Sequence, residues 1–429
     1  MPVLAVILWF DSGAPLNSAV FDPAGSMITG RYQHAAVLMQ NGRVLAAGAD
    51  NATGWPCSNV ESYDPAAGVW SAVAPLNQAR VYHSATVLLN GQVLVAGGYN
   101  GAWSMSGAEL FPANPTNWTW TATGALNQPR QYHTATLLQD GRVLIAGGYN
   151  NVLGYLTTAE VYDRAEGTWT PTGPMHFARG AATASLLPSG KVLVTGWGTA
   201  ELFDPADSSW TVTGAPIASR SYHTATVLPG GNVLVAGGTS ATAASEIYDP
   251  VSGEWTTSGN QNVRRQAHTA TLLPNGKVLI AGGADFAGNF ISGAELYDPS
   301  SGEWSWTGAL LDLRIWHTAT LLDEGKVLFA GGSSLSGTAI ASTELFDPSA
   351  TALPPDFNRL SCTGLDASGI HLAFNGLSRW NYVLEMAGDL SSPNWQPAAT
   401  NLAGGNGLVE FTRPVSPGAD NYWRVRALP

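Results

Sequence analysis

The segment RQYHTATLLQDGRVLIAGGYN occupies residues 130–150, and near copies of it recur along most of this 429-residue chain. The other copies begin at Arg31, Arg80, Arg179, Arg220, Arg265 and Arg314. Successive copies start 41 to 50 residues apart. A period of this length is typical of β-propellers, in which each repeat folds into one four-stranded blade. The seven copies therefore predict an all-β protein with a seven-bladed propeller.

Each repeat contains four short strand-like segments, represented by HTATLL, RVLIAGG, AELYDP and GEWSWTG. Gly, Asp and Pro separate these segments, as expected for turns between strands. A glycine doublet (Gly147-Gly148), an aromatic–Asp pair (Tyr162-Asp163) and a later Trp (Trp169) recur at fixed positions. The combination resembles the kelch repeat of galactose oxidase-like central domains. The resemblance implies that the HTATLL strand is innermost in each blade and the Trp strand outermost.

The seventh repeat has no Trp strand after Asp347, so a segment before Arg31 is expected to complete its blade. Either VILWF (residues 6–10) or SAVFDP (residues 18–23) is suited to this role. Such closure would remove two open sheet edges. We therefore expect residues 1–353 to form the propeller.

A second domain is predicted after Pro354-Pro355, where short alternating strands and polar turns replace the repeat. Residues 354–429 are expected to form a small β-sandwich. The spacing of Tyr382, Trp395 and Tyr422 resembles that of the fibronectin-like C-terminal modules of bacterial surface and secreted proteins.

Composition and charge exclude several functions. The net charge is −12 and no basic run is present, so a nucleic-acid groove is not expected. No stretch is long and apolar enough to span a bilayer. The apolar start MPVLAVILWF has no positive n-region or cleavage site, and we interpret it as a strand rather than a signal peptide. We expect a monomer acting on a small molecule in the extracellular space or periplasm.

The two cysteines, Cys57 and Cys362, are too few for a disulfide framework or a cysteine metal cluster. They are either two buried thiols or one long-range disulfide, and the sequence leaves both possibilities open.

Several polar residues recur once per repeat. Histidines follow the repeat arginine by three residues in all copies but the fourth: His34, His83, His133, His223, His268 and His317. They could form a ring of metal-binding or acid–base imidazoles, or fill equivalent structural positions between blades. Seven glutamates match the seven arginines and predict one structural ion pair per blade: Glu61, Glu109, Glu160, Glu201, Glu246, Glu295 and Glu344.

A third set carries side-chain oxygens two residues past each glycine doublet or its equivalent. Its members are Asp50, Asn100, Asn150, Thr199, Ser240, Asp285 and Ser334. Such oxygens suit a hard cation, and we expect a calcium ion bound by Asp50, Asp285, Asn100 and Asn150. The alternative is that these residues simply start turns well.

The fourth repeat, MHFARGAATASLLPSGKVLVTGWGTAELF (residues 175–203), departs from the others. Ala182 replaces the histidine, Trp197 replaces the second glycine, and the following loop is short. A short loop between long ones predicts a notch with Trp197 on its floor. Tyr99, Trp103 and Tyr149 in neighbouring loops are further candidates for ligand binding.

These patterns favour a calcium-assisted hydrolase of a small ester or lactone, such as an acyl-homoserine lactone. Its candidate catalytic residues are His176, Arg179, His133 and His223. A non-catalytic propeller that binds a glycan or protein is the alternative.

A copper radical oxidase is a further, disfavoured alternative. YHTATLLQDGRV resembles a segment of galactose oxidase and glyoxal oxidase. That resemblance implies a Tyr cross-linked to a Cys, and neither Cys57 nor Cys362 lies on a predicted inner strand.

Overall fold

The structure is a computed structural model that describes residues 20–50, 54–113, 118–239 and 242–349. Of the C-terminal part it describes the strands alone. The described secondary structure consists of strands, turns and isolated bridges, so the predicted all-β class is confirmed. No described segment forms a helix that could cross a membrane.

Seven antiparallel sheets of four strands form the blades, and in the first six the strands follow sequence order outward from the axis. The first three are β2–β5 (Ala35–Leu38, Val44–Asp50, Pro56–Asp64, Val69–Val73), β6–β9 (Ser84–Val87, Val93–Ala96, Ala108–Phe111, Thr121–Thr123) and β10, β11, β14, β15 (Thr134–Leu137, Val143–Ala146, Ala159–Asp163, Thr168–Pro171). The next three are β16–β19 (Thr183–Leu186, Val192–Gly196, Thr199–Asp204, Ser209–Val212), β20–β23 (Thr224–Val227, Val233–Ala236, Ala244–Tyr248, Trp255–Asn260) and β24–β27 (Thr269–Leu272, Val278–Ala281, Gly293–Asp298, Glu303–Ala309). The seventh comprises β28 (Thr318–Leu321), β29 (Val327–Ala330), β30 (Ser342–Asp347) and β1 (Val20–Ser26), and a small hairpin of β12 (Tyr149–Asn150) and β13 (Gly154–Tyr155) projects from the third.

The outermost strand of the seventh blade comes from the N-terminal part of the chain. Strand β1 pairs antiparallel with β30, with Phe21 opposite Phe346. The Phe21 ring also packs against Phe329, at a centroid distance of 5.5 Å. This pairing joins the first described residues to the last repeat and covers the edge of β30. The other candidate for this strand, residues 6–10, lies outside the described residues.

The core lies between adjacent blades. In the third blade, Val143 and Ile145 pack against the second blade, and Leu144 and Ala146 pack against the fourth. Successive side chains of a strand point to opposite faces. Because both faces of the second strand are buried, it is apolar throughout instead of alternating with polar residues.

One buried ion pair per blade connects the repeat arginine to the third-strand glutamate. Arg130 donates to Glu160 at 2.9 Å and to the carbonyls of Gly147 and Thr158. Glu160 also accepts the backbone N–H of Asn127 and Gln128. The pairs are Arg31–Glu61, Arg80–Glu109, Arg130–Glu160, Arg179–Glu201, Arg220–Glu246, Arg265–Glu295 and Arg314–Glu344. The predicted structural pairs are therefore confirmed.

The glycine doublet is required by close packing at the same place. Gly148 has φ 100°, and a Cβ there would lie 2.6 Å from the Gln131 carbonyl oxygen. A Cβ on Gly147 would lie 2.5 Å from the carbonyl oxygen of Arg179 in the next blade. Any larger residue at either position would push neighbouring backbone apart.

The C-terminal part contains six strands in two three-stranded sheets. They are β31 (Ser361–Asp366), β32 (Gly369–Asn375), β33 (Asn381–Ala387), β34 (Gln396–Leu402), β35 (Leu408–Arg413) and β36 (Tyr422–Leu428). The sheet orders are β31-β32-β35 and β34-β33-β36. Packing of these sheets as a sandwich, and the domain boundary near residue 354, remain predictions.

Replacing one partner of a buried pair should be costly. Glu160→Gln leaves Arg130 without a counter-charge and should lower the free energy of unfolding by about 3–5 kcal/mol. Asp140→Asn is the matched control in the same blade, because the Asp140–Arg142 pair is largely exposed, and it should cost less than about 1 kcal/mol. Urea unfolding measures both values. Equal losses in the two variants would contradict a structural role for the buried pair.

Deleting residues 354–429 should leave a folded propeller, since each β unit is expected to have its own core. The truncated chain should keep the near-UV circular dichroism of the propeller tryptophans and unfold cooperatively. A truncated chain that is insoluble would show that the two parts share a core.

Candidate functional site

The mouth of the central channel is a ring of seven residues with left-handed backbone. The residue before each repeat histidine, or before Ala182, has φ between 50° and 57°. These residues are Gln33, Tyr82, Tyr132, Ala181, Tyr222, Ala267 and Trp316. Six hydrogen bonds of 3.0–3.5 Å link their backbones from blade to blade, such as Ala181 N–H to the Tyr132 carbonyl. The ring backbone is thus the same in every blade, whereas the side chains at these seven positions differ. The ring surrounds an axial cavity of about 340 Å³.

The repeat histidines lie below this ring and bridge neighbouring blades. Five share a hydrogen bond of 3.0 Å between Nε2 and a first-strand hydroxyl of the preceding blade. The pairs are His34–Thr318, His133–Ser84, His223–Thr183, His268–Thr224 and His317–Thr269. His83 differs because Ala35 stands at the corresponding position of the first blade. The Nε2 atoms of His133 and His223, both predicted to be catalytic, are therefore engaged between blades.

Burial keeps these histidines neutral. Desolvation, followed by the positive charge of the repeat arginine, lowers the pKa of His83, His133, His223 and His317 to about 3. The same causes lower the pKa of His34 and His268. A neutral, buried imidazole that already bonds a hydroxyl packs the blades together at neutral pH.

His176 lies at the edge of the fourth blade rather than in a cavity. Its Nδ1 is 2.9 Å from Oε2 of Glu201, the same carboxylate that pairs with Arg179 at 2.5 Å. Asn77, Asn127 and Asn262 place an amide nitrogen on the equivalent glutamates of other blades. The His176 imidazole therefore occupies the position of an asparagine amide.

The side-chain oxygens expected to bind calcium accept hydrogen bonds close to their own positions. Asn100, Asn150 and Asp285 each accept two backbone N–H groups from their own loop. Asp50 bonds the Tyr32 hydroxyl, and burial together with this carboxylate raises the pKa of Tyr32 to about 12. Asp50 forms a backbone bridge with Tyr32, and the equivalent bridge of the second blade joins Tyr99 to Val81. Asp50 is therefore equivalent to Tyr99 and not to Asn100, which is one residue further along. Ser240, another member of the set, lies outside the described residues.

A cleft opens at the fourth blade because its top loop is missing. Strands β17 and β18 are joined directly by Trp197 and Gly198, with φ 55° and 77°. Such two-residue turns with positive φ at both positions are typical of tight hairpins. The backbone N–H of Trp197 donates a hydrogen bond of 2.8 Å to the Arg220 carbonyl, which fixes the tip of this hairpin. The space left by the short turn is a cavity of about 480 Å³ that adjoins the axial one.

Seven aromatic side chains line this cleft. They are Tyr82, Tyr99, Tyr132, Tyr149, Tyr155, Trp197 and Tyr222. Tyr155 meets Trp197 edge to face at 4.4 Å and 84°, and the Tyr82 and Tyr132 rings stack at 4.0 Å and 28°. The remaining lining consists of Gln131, Asn151, Ser221, Gly180 and Ala181, so the cleft carries no charged side chain.

Of the residues predicted to bind ligand, Trp197, Tyr99 and Tyr149 line the cleft together. Trp103 is 62% exposed and does not line it. Sequence reasoning missed Tyr132 and Tyr222. Both residues directly precede a repeat histidine. The residue type at this position varies among the repeats while the repeat arginine and histidine stay nearly constant, and this variation could have indicated a functional position.

The comparisons with known proteins agree with the repeat. Residues 132–176 match the sequence model of the Kelch motif. Together with seven four-stranded blades, this match identifies the chain as a kelch-repeat β-propeller. No curated protein sequence matches the chain.

A solved structure with a similar fold is described as a novel fungal alcohol oxidase with catalytic diversity among the AA5 family, in complex with copper. The TM-score is 0.65 at 18% sequence identity, and the alignment covers 93% of each chain. At this identity the similarity is evidence for a shared fold alone. The relative is an enzyme, so an enzymatic role is compatible with the fold.

The predicted calcium-dependent lactonase is wrong. The structural relative is a copper alcohol oxidase, so it supports neither calcium nor hydrolysis. Three of the four expected calcium ligands, Asn100, Asn150 and Asp285, already accept backbone N–H groups of their own loops. Among the described residues, no three His, Cys, Asp or Glu side chains converge on a point that could hold a metal ion.

The described residues also lack the cysteine–tyrosine pair of a copper radical centre. Five of the repeat histidines direct Nε2 to hydroxyls between blades. Cys57 is a buried free thiol on β4, where desolvation raises its pKa, and it lines neither cavity. No described tyrosine of the cleft therefore has a cysteine partner within it.

Stability should fall on mild acidification because of the buried histidines. The unfolded chain takes up protons below its histidine pKa of about 6.5, whereas the folded histidines stay neutral until about pH 3. Each such histidine therefore costs about 1.4 kcal/mol of stability per pH unit between these values, and nothing above about pH 7. In urea unfolding, His133→Gln should reduce the slope between pH 6 and 5 by about this amount. The slopes above pH 7 should coincide, and an unchanged slope below pH 6 would show that His133 is protonated in the folded state.

Proposed function

We propose that the fourth-blade cleft binds a neutral, polyhydroxylated ligand, that is, a carbohydrate. The observation that carries this proposal is a cleft lined by seven aromatic side chains and no charged ones. In a chain of net charge −12, an uncharged cleft disfavours ionic ligands of either sign. A volume of about 480 Å³ lies within the usual range for small-molecule sites.

Aromatic faces supply the affinity in this proposal. The face of an aromatic ring is electron-rich, and the C–H groups on one face of a sugar ring are weakly positive. Trp197 and Tyr155 are 39% and 49% exposed, so each has ring surface that a ligand can cover. Their mutual edge-to-face contact holds them in place before ligand arrives, which lowers the entropy lost on binding.

Polar groups of the cleft supply the selectivity. Gln131, Asn151 and Ser221 are neutral donors and acceptors suited to sugar hydroxyls. Ser104 already fixes the Asn151 side chain through bonds to its Oδ1. A ligand without matching hydroxyls would leave these groups unpaired, and this is costly in a dry site.

The cellular setting and the reaction remain part of the proposal. A glycan ligand suits a monomer in the extracellular space or periplasm. Oxidation of the bound hydroxyl compound is a second candidate, because the alignment with an alcohol oxidase covers 93% of each chain. The lack of a cysteine partner for the cleft tyrosines among the described residues argues for binding without oxidation.

Trp197→Ala and Tyr155→Ala should each weaken saccharide binding about fivefold or more, because each aromatic contact contributes on the order of 1 kcal/mol or more. The probes are methyl glycosides of glucose, galactose, mannose and N-acetylglucosamine and their short oligomers, titrated by calorimetry or NMR. Phe286→Ala is the matched control, since Phe286 is a 52% exposed aromatic residue that lines neither cavity. The proposal fails if no saccharide binds, or if Phe286→Ala weakens binding as much as Trp197→Ala.

A copper arm separates the two candidates. The protein is incubated with Cu²⁺ and then with the same saccharides and simple alcohols under oxygen. An oxidase would transfer two electrons and two protons from the alcohol to O₂ and release hydrogen peroxide. We expect no more hydrogen peroxide than free Cu²⁺ produces. Saturable, saccharide-dependent formation of peroxide would instead show that the protein is an oxidase.

A further inference from the structure

A short bridge recurs in six of the seven blades; it is entirely backbone in five of them, and in the fifth blade the Ser221 N–H bonds the Thr239 hydroxyl instead of its carbonyl. The residue after the repeat arginine forms hydrogen bonds with the residue after the glycine doublet or its equivalent, through both its N–H and its C=O. The pairs are Tyr32–Asp50, Val81–Tyr99, Gln131–Tyr149, Ser221–Thr239, Gln266–Ala284 and Ile315–Ser333. Since both groups bond one partner residue, they face the same side of the chain.

The fourth blade lacks this partner. Its residue after the arginine is Gly180, and the direct turn at Trp197 and Gly198 removes the segment that would pair with it. Within the part of the chain that the structure describes, no group hydrogen-bonds the N–H or C=O of Gly180. A buried peptide group without a partner is unfavourable, so this edge favours a ligand that supplies the missing donor and acceptor.

The unpaired edge spans Gly180 and the carbonyl of Ala181. On one side, the Arg179 N–H bonds the Leu156 carbonyl, and the Arg179 carbonyl accepts the N–H of Gly148. On the other, the Ala181 N–H bonds the Tyr132 carbonyl, and no described group donates to the Ala181 carbonyl. The edge therefore offers the Gly180 N–H and C=O side by side with one further carbonyl, which is too short for a strand that could extend the sheet.

Gly180 lies at the floor of the aromatic cleft. It lines the cavity, and a Cβ at this position would be 2.9 Å from the Tyr155 ring. Tyr155 thus packs directly over the glycine and meets Trp197 edge to face. A sugar ring that enters with one face against Tyr155 would bring its edge to the free N–H and C=O.

We infer that Gly180 recognises a pair of adjacent hydroxyl groups on one sugar ring. One hydroxyl oxygen accepts the Gly180 N–H, and the neighbouring hydroxyl donates to the Gly180 carbonyl. Hydroxyls on adjacent ring carbons provide an acceptor and a donor side by side, as the edge requires. This inference rests on the proposed carbohydrate function and names the group that the site selects.

An extended peptide is the other partner that could satisfy both groups. Strand addition gains from several consecutive backbone bonds, and here Arg179 and the Ala181 N–H are already used, which leaves too short an edge among the described residues. The neighbouring aromatic rings also suit the face of a sugar better than alternating peptide side chains. A peptide ligand is therefore treated as an outcome of the test.

The test follows the Gly180 amide by NMR in the full-length protein labelled with ¹⁵N-glycine. The probe is the methyl glycoside that binds tightest among those named above, compared with its monodeoxy derivatives. The Gly190 amide is the control, because it lies in the opposite turn of the same blade and bonds the Leu187 carbonyl. A tetra-alanine amide is the peptide probe.

The saccharide should shift the Gly180 resonance and slow its hydrogen exchange at least about tenfold, while Gly190 stays unchanged. Removing either of two adjacent hydroxyls should weaken binding at least about tenfold, and removing a hydroxyl that contacts none of Gly180, Gln131, Asn151 and Ser221 less than about threefold. If the saccharide binds in a Trp197-dependent way but leaves Gly180 unaffected, this inference is overturned and the carbohydrate proposal stands. If no saccharide binds, the carbohydrate proposal itself fails, and protection of Gly180 by the peptide alone would make the partner a peptide.

Discussion

The buried pair of arginine and glutamate is the interaction on which this propeller depends. Each pair neutralises two charges that would otherwise be isolated in a dry interior, and backbone groups satisfy the rest of their hydrogen-bonding capacity. In the third blade Arg130 reaches the carbonyl of Gly147, and Glu160 holds the loop that leads into the blade. Glycine is required beside the arginine, because Gly147 packs against the carbonyl of Arg179 in the next blade. One ion pair thus fixes the entry loop, the second strand and the contact between blades.

A scaffold fixed in this way leaves its top loops free to differ. The fourth blade keeps the Arg179–Glu201 pair, so its strands stay in register while its top loop shrinks to two residues. Ala181 and Ala182 reduce the side-chain volume near the axis, and Trp197 takes a glycine position with left-handed backbone. The cleft arises where the repeat loses a loop, and the aromatic side chains of the neighbouring third blade complete its wall. The proposed binding site therefore lies at the blade that departs from the repeat.

Much of the fold could be predicted from the sequence because the same physical constraints act seven times. The seven regularly spaced arginines predicted the number of blades. One Arg and one Glu at constant positions in every repeat predicted the ion pairs. The calcium site could not be predicted correctly, because an oxygen-bearing side chain at a loop start serves equally well as a turn former. Asn100 and Asp285 show this, since each accepts two backbone N–H groups of its own loop. His176 was misleading for a similar reason, because its place beside a glutamate matches that of asparagines such as Asn127.

The candidate site was only partly visible in the sequence. Trp197 and the short loop of the fourth repeat were clear departures, and they lie in the cleft. The unpaired backbone of Gly180 depends on which strand segment is missing beside it in space, and no residue type signals that.

A crystal structure of the protein with a bound saccharide would test the central claim most directly. The account predicts a sugar ring against Trp197 and Tyr155 in the fourth-blade cleft, with two adjacent hydroxyls within hydrogen-bond distance of the Gly180 N–H and C=O. Saccharide density elsewhere on the propeller, or a copper ion held by side chains of the axial cavity in crystals soaked with Cu²⁺, would contradict it.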